Sequence, residues 1–564
     1  MKLKYSALLI LLFVVSGLAQ SRLPDFGRKQ TFDVQHYRIT TKVDRAKREV
    51  YGETTVTLKP LSADTTSVEF DAANLKFSKV TLSPAGTDLK YRATEDKITV
   101  TLDKAYGPAD TIAVSMTYTA KPKKGVYFVE PLITEGKEVR SAQVYTQGEP
   151  DEHRQWFPSF DFPSDKATTE QIITAEKDFT VIANGELISK TDNSDGTTTW
   201  HYKMPVPHSS YLISFVIGKY AKVEEKYKDV PLAYYVYPGQ EAIVPKAYGN
   251  TREMMRIYEE LTGVAFPYNK YDQTIVSGFT FGGMENITAT TMADTEILAA
   301  SIPFLQGSIE DLVSHELAHS WFGDLVTCKN WAELWLNEGF ATFMEAAYRE
   351  KKYDRKDYMR MITDDAAAFM TEDAVLPKNH GLFNRTAGNV AGLFDHSGVT
   401  YNKGGAVIHT LREQIGDAAF WKAINIYLNR HKFGSVESTD LRKVMEETSG
   451  QDLGWFFGQW VYGTGFPKLS VAQVWDARTK TLSVKVTQTQ SAGDLNTGAY
   501  RLPMKISFDY GKVGKEHEVD SVQDMTVTQR VQTISFKLPR KPEKITLDPE
   551  NRIPIKSVKV LPLK

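Results

Sequence analysis

One cysteine, Cys328, stands among 564 residues. A single thiol closes no disulfide within the chain, so stability has to come from core packing and any bound metal. Beside apolar neighbours a lone thiol is a small packing side chain, and Cys328 is given no chemical role. Charge of one sign is equally scarce. The 68 Lys plus Arg against 70 Asp plus Glu leave a formal net charge of −2. The densest basic stretches, Lys121 to Lys124 and Arg540 to Lys544, are short and diluted by proline. They read as solvated surface, and nucleic acid is not an expected partner. Internal repeats and low-complexity segments are absent, and beyond residue 20 so are long apolar runs.

The exception is the start. Lys2 and Lys4 precede an apolar run from Ala7 to Val15, and Gly17-Leu18-Ala19 places small residues where a signal peptidase reads. The stretch from Ala7 to Ala19 is shorter than the roughly 18 residues that span a bilayer. Residues 1–19 are therefore expected to be a cleaved secretory signal. The protein would be secreted or periplasmic, without stable membrane insertion, and no cysteine follows to carry a lipid.

What is present is globular: 41% apolar and 24% charged residues, with length for three or four domains. From about Thr31 to Tyr235 the pattern has period two, as in Ile98–Leu102 and Ile112–Met116, with turn clusters between. A β-sandwich or saddle-like domain is expected over 20–235. Helical periodicity takes over near Val244 and runs to about Trp460, for example Val407–Ile415 and Ala418–Leu428, giving a mainly helical domain over 236–463. After Gly463-Thr-Gly-Phe-Pro467 period two returns. Leu469–Val474 and Thr481–Thr487 flank a hairpin turn at Asp476 to Lys480, so a smaller β-sandwich is expected over 464–564. The fold class is multidomain α+β.

The informative stretch is Ser308 to Gly323, containing His315-Glu-Leu-Ala-His319. Ser308 and Asp311 suggest a capping box, and Leu312, Val313, Leu317 and Trp321 give the apolar face of a helix ending near Gly323. His315 and His319 project one turn apart, a separation that lets two imidazoles share one Zn²⁺. Glu316, offset by about 100°, points beside the metal as a general base. A second helix from Trp331 offers Glu338, nineteen residues after His319, as the third ligand. Two His and one Glu leave a coordination position open, as a catalytic zinc requires, whereas structural sites are closed by four ligands and usually contain Cys. HExxH arises by chance in roughly one chain in a hundred, and a Glu at a specified later offset makes chance rarer still. Glu345, two turns beyond Glu338, either accepts a hydrogen bond from a ligand imidazole or is a surface carboxylate.

The HELAH motif with Glu338 in NEGFA resembles the M1 family of zinc aminopeptidases, the gluzincins. Phe281-Gly-Gly-Met-Glu-Asn286 is similar to that family's GxMEN exopeptidase loop. Thr146-Gln-Gly-Glu-Pro150 with Trp156 to Asp161 is similar to its N-terminal motif, and Tyr401 sits where the family has a catalytic tyrosine. The resemblance spans roughly residues 30 to 560. It implies a thermolysin-like catalytic domain, one Zn²⁺ per chain, and peptide substrates with a free N-terminus. Glu149 and Glu285 would bind the terminal ammonium and set the register. Met284 would line the pocket for the first side chain, with Gln147 beside it, while Gly282 and Gly283 let a substrate backbone pair with the loop as an added strand. Tyr401 would donate its hydroxyl to the oxyanion while Glu316 moves the proton from the attacking water to the leaving amine. His153, near the N-terminal motif, matches no family function and takes a polar structural role.

Many members carry a large helical C-terminal domain, and this sequence ends after the smaller β-sandwich. By the resemblance its cleft is more open, or roofed by another subunit. Three alternatives stand beside the aminopeptidase reading. A thermolysin-type endopeptidase shares the zinc helix, but Glu149 and Glu285 would obstruct an internal peptide segment. Epoxide hydrolysis occurs in a related branch with the same GGMEN form and needs a lipid channel. An inactive secreted binding protein usually has lost a ligand or the base, and here all are present. Asn286-Ile-Thr288 and Asn384-Arg-Thr386 match the glycan acceptor pattern. A glycan at Asn286 would plug the site, which favours a bacterial protein. First-residue preference, peptide-length limit and oligomeric state are not written in the sequence.

Overall fold

The structure, a computed structural model, describes residues 25–376, 380–493, 497–513, 516–517 and 521–563. The expected signal segment, 1–19, lies outside the described residues.

Alternation in the first part of the chain becomes sheet with one buried face. Ile112–Ala120 and Lys166–Glu176 bury every second residue, the two-residue period of a pleated strand. Both belong to an eight-stranded sheet in the order Glu186–Asp192, Thr197–Ser209, Lys166–Glu176, Phe32–Asp44, Glu49–Pro60, Ile112–Ala120, Lys76–Ser83, Thr87–Asp88. Its apolar face shares a core with a three-stranded sheet around Lys97–Tyr106 and a four-stranded sheet around Phe215–Gly218 and Gln143–Thr146. Val56, Val114, Val100, Trp156 and Phe215 meet in that core.

Strands continue to Val236, but they change sheets. Ala221–Tyr227 and Val230–Val236 join Tyr271–Val276, Ala289–Ala293 and Gly283–Met284 in a five-stranded sheet. The boundary expected at 235 thus lies inside the strand Val230–Val236, which is buried continuously from Leu232. Tyr271–Val276 and Ala289–Ala293 run parallel and are buried at every position, the sign of a sheet covered on both faces. Gly283–Met284 is the edge strand, paired antiparallel with Thr291 and Met292. The main helices that follow are Gln306–Ala318, Trp335–Lys352, Arg355–Val375, Gly404–Ile415, Asp417–His431 and Ser438–Ser449. A four-stranded and a three-stranded sheet complete the chain, with Lys468–Asp476 and Thr481–Gln488 forming the expected hairpin. Val484 and Ile506 of these sheets share one core with Trp460 and Phe466. No helix of the described residues is long and apolar enough to cross a membrane.

The motif helix differs from expectation at both ends. It runs Gln306–Ala318, and no side chain caps its start. Ser308 lies within the first turn, its hydroxyl donating to the Leu305 carbonyl at 2.8 Å, and Asp311 is bound by Arg349 instead of closing a capping box. His319 is the C-cap, and Gly323, at φ 136°, turns the chain away.

Two helices cross at glycines that the sequence pattern did not single out. A Cβ on Gly404 would stand 2.7 Å from the Cα of Gly339, and one on Gly339 would stand 2.9 Å from the Cα of Gly404. The crossing fixes the residue after Glu338 against the residue three beyond Tyr401. Gly404→Ala removes a helix-interior glycine, which by propensity alone adds about 1 kcal/mol, but here it forces two backbones apart. The variant is expected to lose about 1–3 kcal/mol in denaturant unfolding. An unchanged or raised midpoint would mean that the helices part freely.

Candidate functional site

His315 and Glu316 occupy the last turn of the motif helix, His319 caps it, and Glu338 lies in the first turn of Trp335–Lys352. The helices are clamped together away from these residues. Arg349 on the second helix donates to Asp311 at 2.5 Å and to the Gly307 carbonyl at 2.8 Å on the first. Glu338 Oε2 consequently lies 3.2 Å from Nε2 of both His315 and His319.

The outer ring nitrogens decide what this cluster can hold. His319 Nδ1 is 2.9 Å from the Phe322 carbonyl oxygen, and His315 Nδ1 is 2.7 Å from Glu345 Oε1. A carbonyl only accepts, so His319 carries its proton on Nδ1, and the Glu345 carboxylate holds the His315 proton likewise. Both Nε2 atoms then point at one Glu338 oxygen, a position that imidazole protons or a divalent cation can fill. Two imidazole nitrogens and one carboxylate oxygen, with Nδ1–H groups tied by outer acceptors, fit a divalent transition metal.

A cavity of 620 Å³ opens over this cluster. All eleven residues singled out in the sequence line it: Gln147, Glu149, Gly282, Gly283, Met284, Glu285, His315, Glu316, His319, Glu338 and Tyr401. Its lining also includes Asp311, Glu345 and Asp365, and neither Lys nor Arg. Negative charge is therefore in excess. Burial pushes the Glu316 carboxyl up to about 8, with both imidazoles opposing and Glu285 and Glu338 adding. Glu149 is raised well above the carboxylate range by burial and then by Glu285 and Glu338, and Glu285 is raised chiefly by burial. Burial would lower His319, but Glu285 and Glu338 carry it up to about 10. Burial would raise Glu338, and His319 and His315 hold it at about 2 instead.

Carboxylate oxygens of Glu149, Glu285 and Glu338 lie within 4.8 Å of one another. One oxygen of Glu149 and one of Glu316 are buried without a hydrogen-bond partner. Tyr211 donates to Glu285 at 3.3 Å and accepts from Asn337 at 3.3 Å, linking the GGMEN loop to the residue before Glu338. Nothing local marks Tyr211 among 27 tyrosines, and sequence reasoning passed over it. The Gln147 amide is 3.3 Å from the Met284 sulfur, so these two meet as one wall. Gly283 also packs against the motif helix, where an added Cβ would fall inside the Glu316 carboxylate. Gly282 similarly faces Leu312.

Tyr401 sits in a π-helical turn, Val399–Lys403, of the kind often found at functional sites. Its ring lies 6.0 Å from that of His315 at 18°. Burial, then the charges of Glu338 and Glu149, raise its hydroxyl well above the ordinary value, so it stays a donor. His153 is buried with Trp156 donating to its Nδ1 at 2.9 Å, and a Cβ on Gly148 would strike its ring, so it shapes the loop bearing Glu149. Asn286 and Asn384 are both buried, which excludes either as a glycan acceptor in the folded chain.

Residues 246–460 match the model of the peptidase family M1 domain, and residues 33–212 match that of the peptidase M1 N-terminal domain. Aminopeptidase 2 of Candida albicans is 28% identical over 423 residues, covering 72% of this chain and 44% of that protein. Aminopeptidase N of Streptomyces lividans is 33% identical over 334 residues, covering 57% and 38%. Glutamyl aminopeptidase of Bos taurus is 29% identical over 334 residues, covering 58% and 34%. The chain thus spans less than half the length of these relatives.

The donor set predicts cation-linked stability. Adding a divalent transition-metal ion to chelator-stripped protein should raise the unfolding midpoint, the stabilisation reaching about 4 kcal/mol at a thousandfold excess over Kd. His319→Ala should abolish the shift in a thermal scan, and an equal shift in both proteins would place the ion elsewhere.

Proposed function

Because this chain belongs to peptidase family M1, we propose that it is a zinc aminopeptidase removing the N-terminal residue from peptides with a free amino terminus. The observation that carries the reading is the convergence of Glu149 and Glu285 beside the His315, His319 and Glu338 donors. A terminal ammonium placed there satisfies buried oxygens and sets the register, so that the first peptide bond lies over the donors.

When bound by His315, His319 and Glu338, Zn²⁺ supplies Lewis acidity that polarises the carbonyl and lowers the pKa of water toward about 7. The chain's own residues do the rest. Glu285, held by Tyr211, and Glu149 bind the amino group, and the Gly283–Met284 edge strand pairs with the substrate backbone. Glu316 takes a proton from the attacking water on a carboxylate oxygen and passes it to the leaving amine. Tyr401 donates its hydroxyl to the oxygen on which charge develops. Glu345 and the Phe322 carbonyl keep the imidazole protons on Nδ1. The lysine-then-apolar pattern of residues 1–19 supports a secreted or periplasmic location.

An internal peptide segment brings no cation to Glu149 and Glu285, which disfavours endopeptidase action. The seven carboxylates lining the cavity likewise disfavour an apolar epoxide substrate.

Glu316→Gln should retain one zinc per chain by metal analysis and lose about 10²- to 10⁴-fold in kcat. Full turnover in the zinc-replete variant would remove Glu316 from the role of base. Separately, N-acetylation of a peptide amide should lower kcat/KM by about a hundredfold or more, since two charge-assisted contacts disappear. Comparable cleavage of acetylated and free peptides would sink the exopeptidase assignment.

A further inference from the structure

The order of residues along the edge strand gives the cavity a direction. Reading back from Glu285, Met284 comes first, then Gly283 against the Glu316 carboxylate, then Gly282 against Leu312 one turn earlier on the motif helix, then Phe281. A peptide held by its amino group at Glu285 and paired with this strand passes its first residue along Met284. Its reacting bond lies at Gly283 and its second residue along Gly282 and Phe281. There the cavity has two unlike walls. One is apolar: Phe281, 41% exposed, has its ring 5.7 Å from that of Phe394, and Leu312 lines the cavity too. The other is Asp311, Glu345 and Asp365. Arg349 answers Asp311, and His315 answers Glu345. Asp365 has the Asn402 amide, donating to Oδ1 at 2.7 Å, while its Oδ2 is buried without a hydrogen-bond partner. Burial and the nearby Glu345 push its carboxyl up to about 8, so an arriving cation favours its ionised form.

We propose that these walls form a subsite that selects a long cationic side chain, lysine or arginine, at the second residue of the substrate. The proposal rests on the aminopeptidase reading and deepens it. The aliphatic stem lies along Phe281 and Phe394, and the cation turns to the acids around Asp365. An acidic second residue, or the free carboxylate of a dipeptide, meets the same field with the opposite sign.

The amides of Ala-Lys-Ala, Ala-norleucine-Ala and Ala-Glu-Ala test it by kcat/KM, with alanyl-naphthylamide as a reference lacking a second residue. Lysine should exceed glutamate by about tenfold or more, with norleucine between. Asp365→Asn should shrink the lysine-to-glutamate ratio at least about threefold, and Phe281→Ala should lower norleucine toward alanine at that position. A lysine-to-glutamate ratio of one or below, with the naphthylamide cleaved, overturns the subsite. Absence of naphthylamide cleavage overturns the aminopeptidase reading instead. The charge preference is then read from Kd on zinc-loaded Glu316→Gln protein by calorimetry, where a tighter lysine peptide supports the subsite and equal affinities overturn it.

Discussion

Two imidazole Nε2 atoms aimed at one buried carboxylate oxygen make a place for positive charge, and the middle of this chain is organised around it. His319 commits its proton to the Phe322 carbonyl and His315 to Glu345, so both Nε2 atoms are left as donors toward the same point. The surroundings repeat the theme. Seven carboxylates and neither Lys nor Arg line the cavity, and buried oxygens of Glu149 and Glu316 have no partner. Such burial is costly until positive charge arrives, whether from the metal or from the amino terminus of a substrate.

Holding acids in this state requires rigid support. The two donor helices are locked by Arg349 across Asp311 and Gly307, and the GGMEN loop is tied through Tyr211 to Asn337, next to Glu338. Tyr211 belongs to the Ser210–Leu212 turn that follows the long strand Thr197–Ser209 of the eight-stranded sheet. The N-terminal sheets therefore contribute more than the loop bearing Glu149. They also orient the second carboxylate that meets it.

Much of this was legible from residue order because it is local. His315, Glu316 and His319 sit within one helical turn, where sequence spacing is spatial spacing, and the β regions announced themselves by period two. What escaped was set by contacts between distant segments. The Gly339–Gly404 crossing joins residues 65 apart, and no single-segment pattern reports it. The capping box at Ser308 was misread because the helix begins two residues earlier on an uncapped turn. The approach of Gly283 to the Glu316 carboxylate is likewise a contact between distant segments. Asp365 and Asn402 carry no motif and became visible only when three separate elements converged on one cavity.

The turn from Val399 to Lys403 has an implication for how such a chain changes over generations. A π turn holds one residue more than regular helix geometry would use, and it weakens the local backbone ladder. Deleting one residue there would let the helix relax and swing the Tyr401 side chain by about 100° around the axis. Heat resistance and hydroxyl placement thus pull this short stretch in opposite directions. A lineage under pressure for durability alone would tend to discard the extra residue, and one that must keep turning over substrate would retain the flaw.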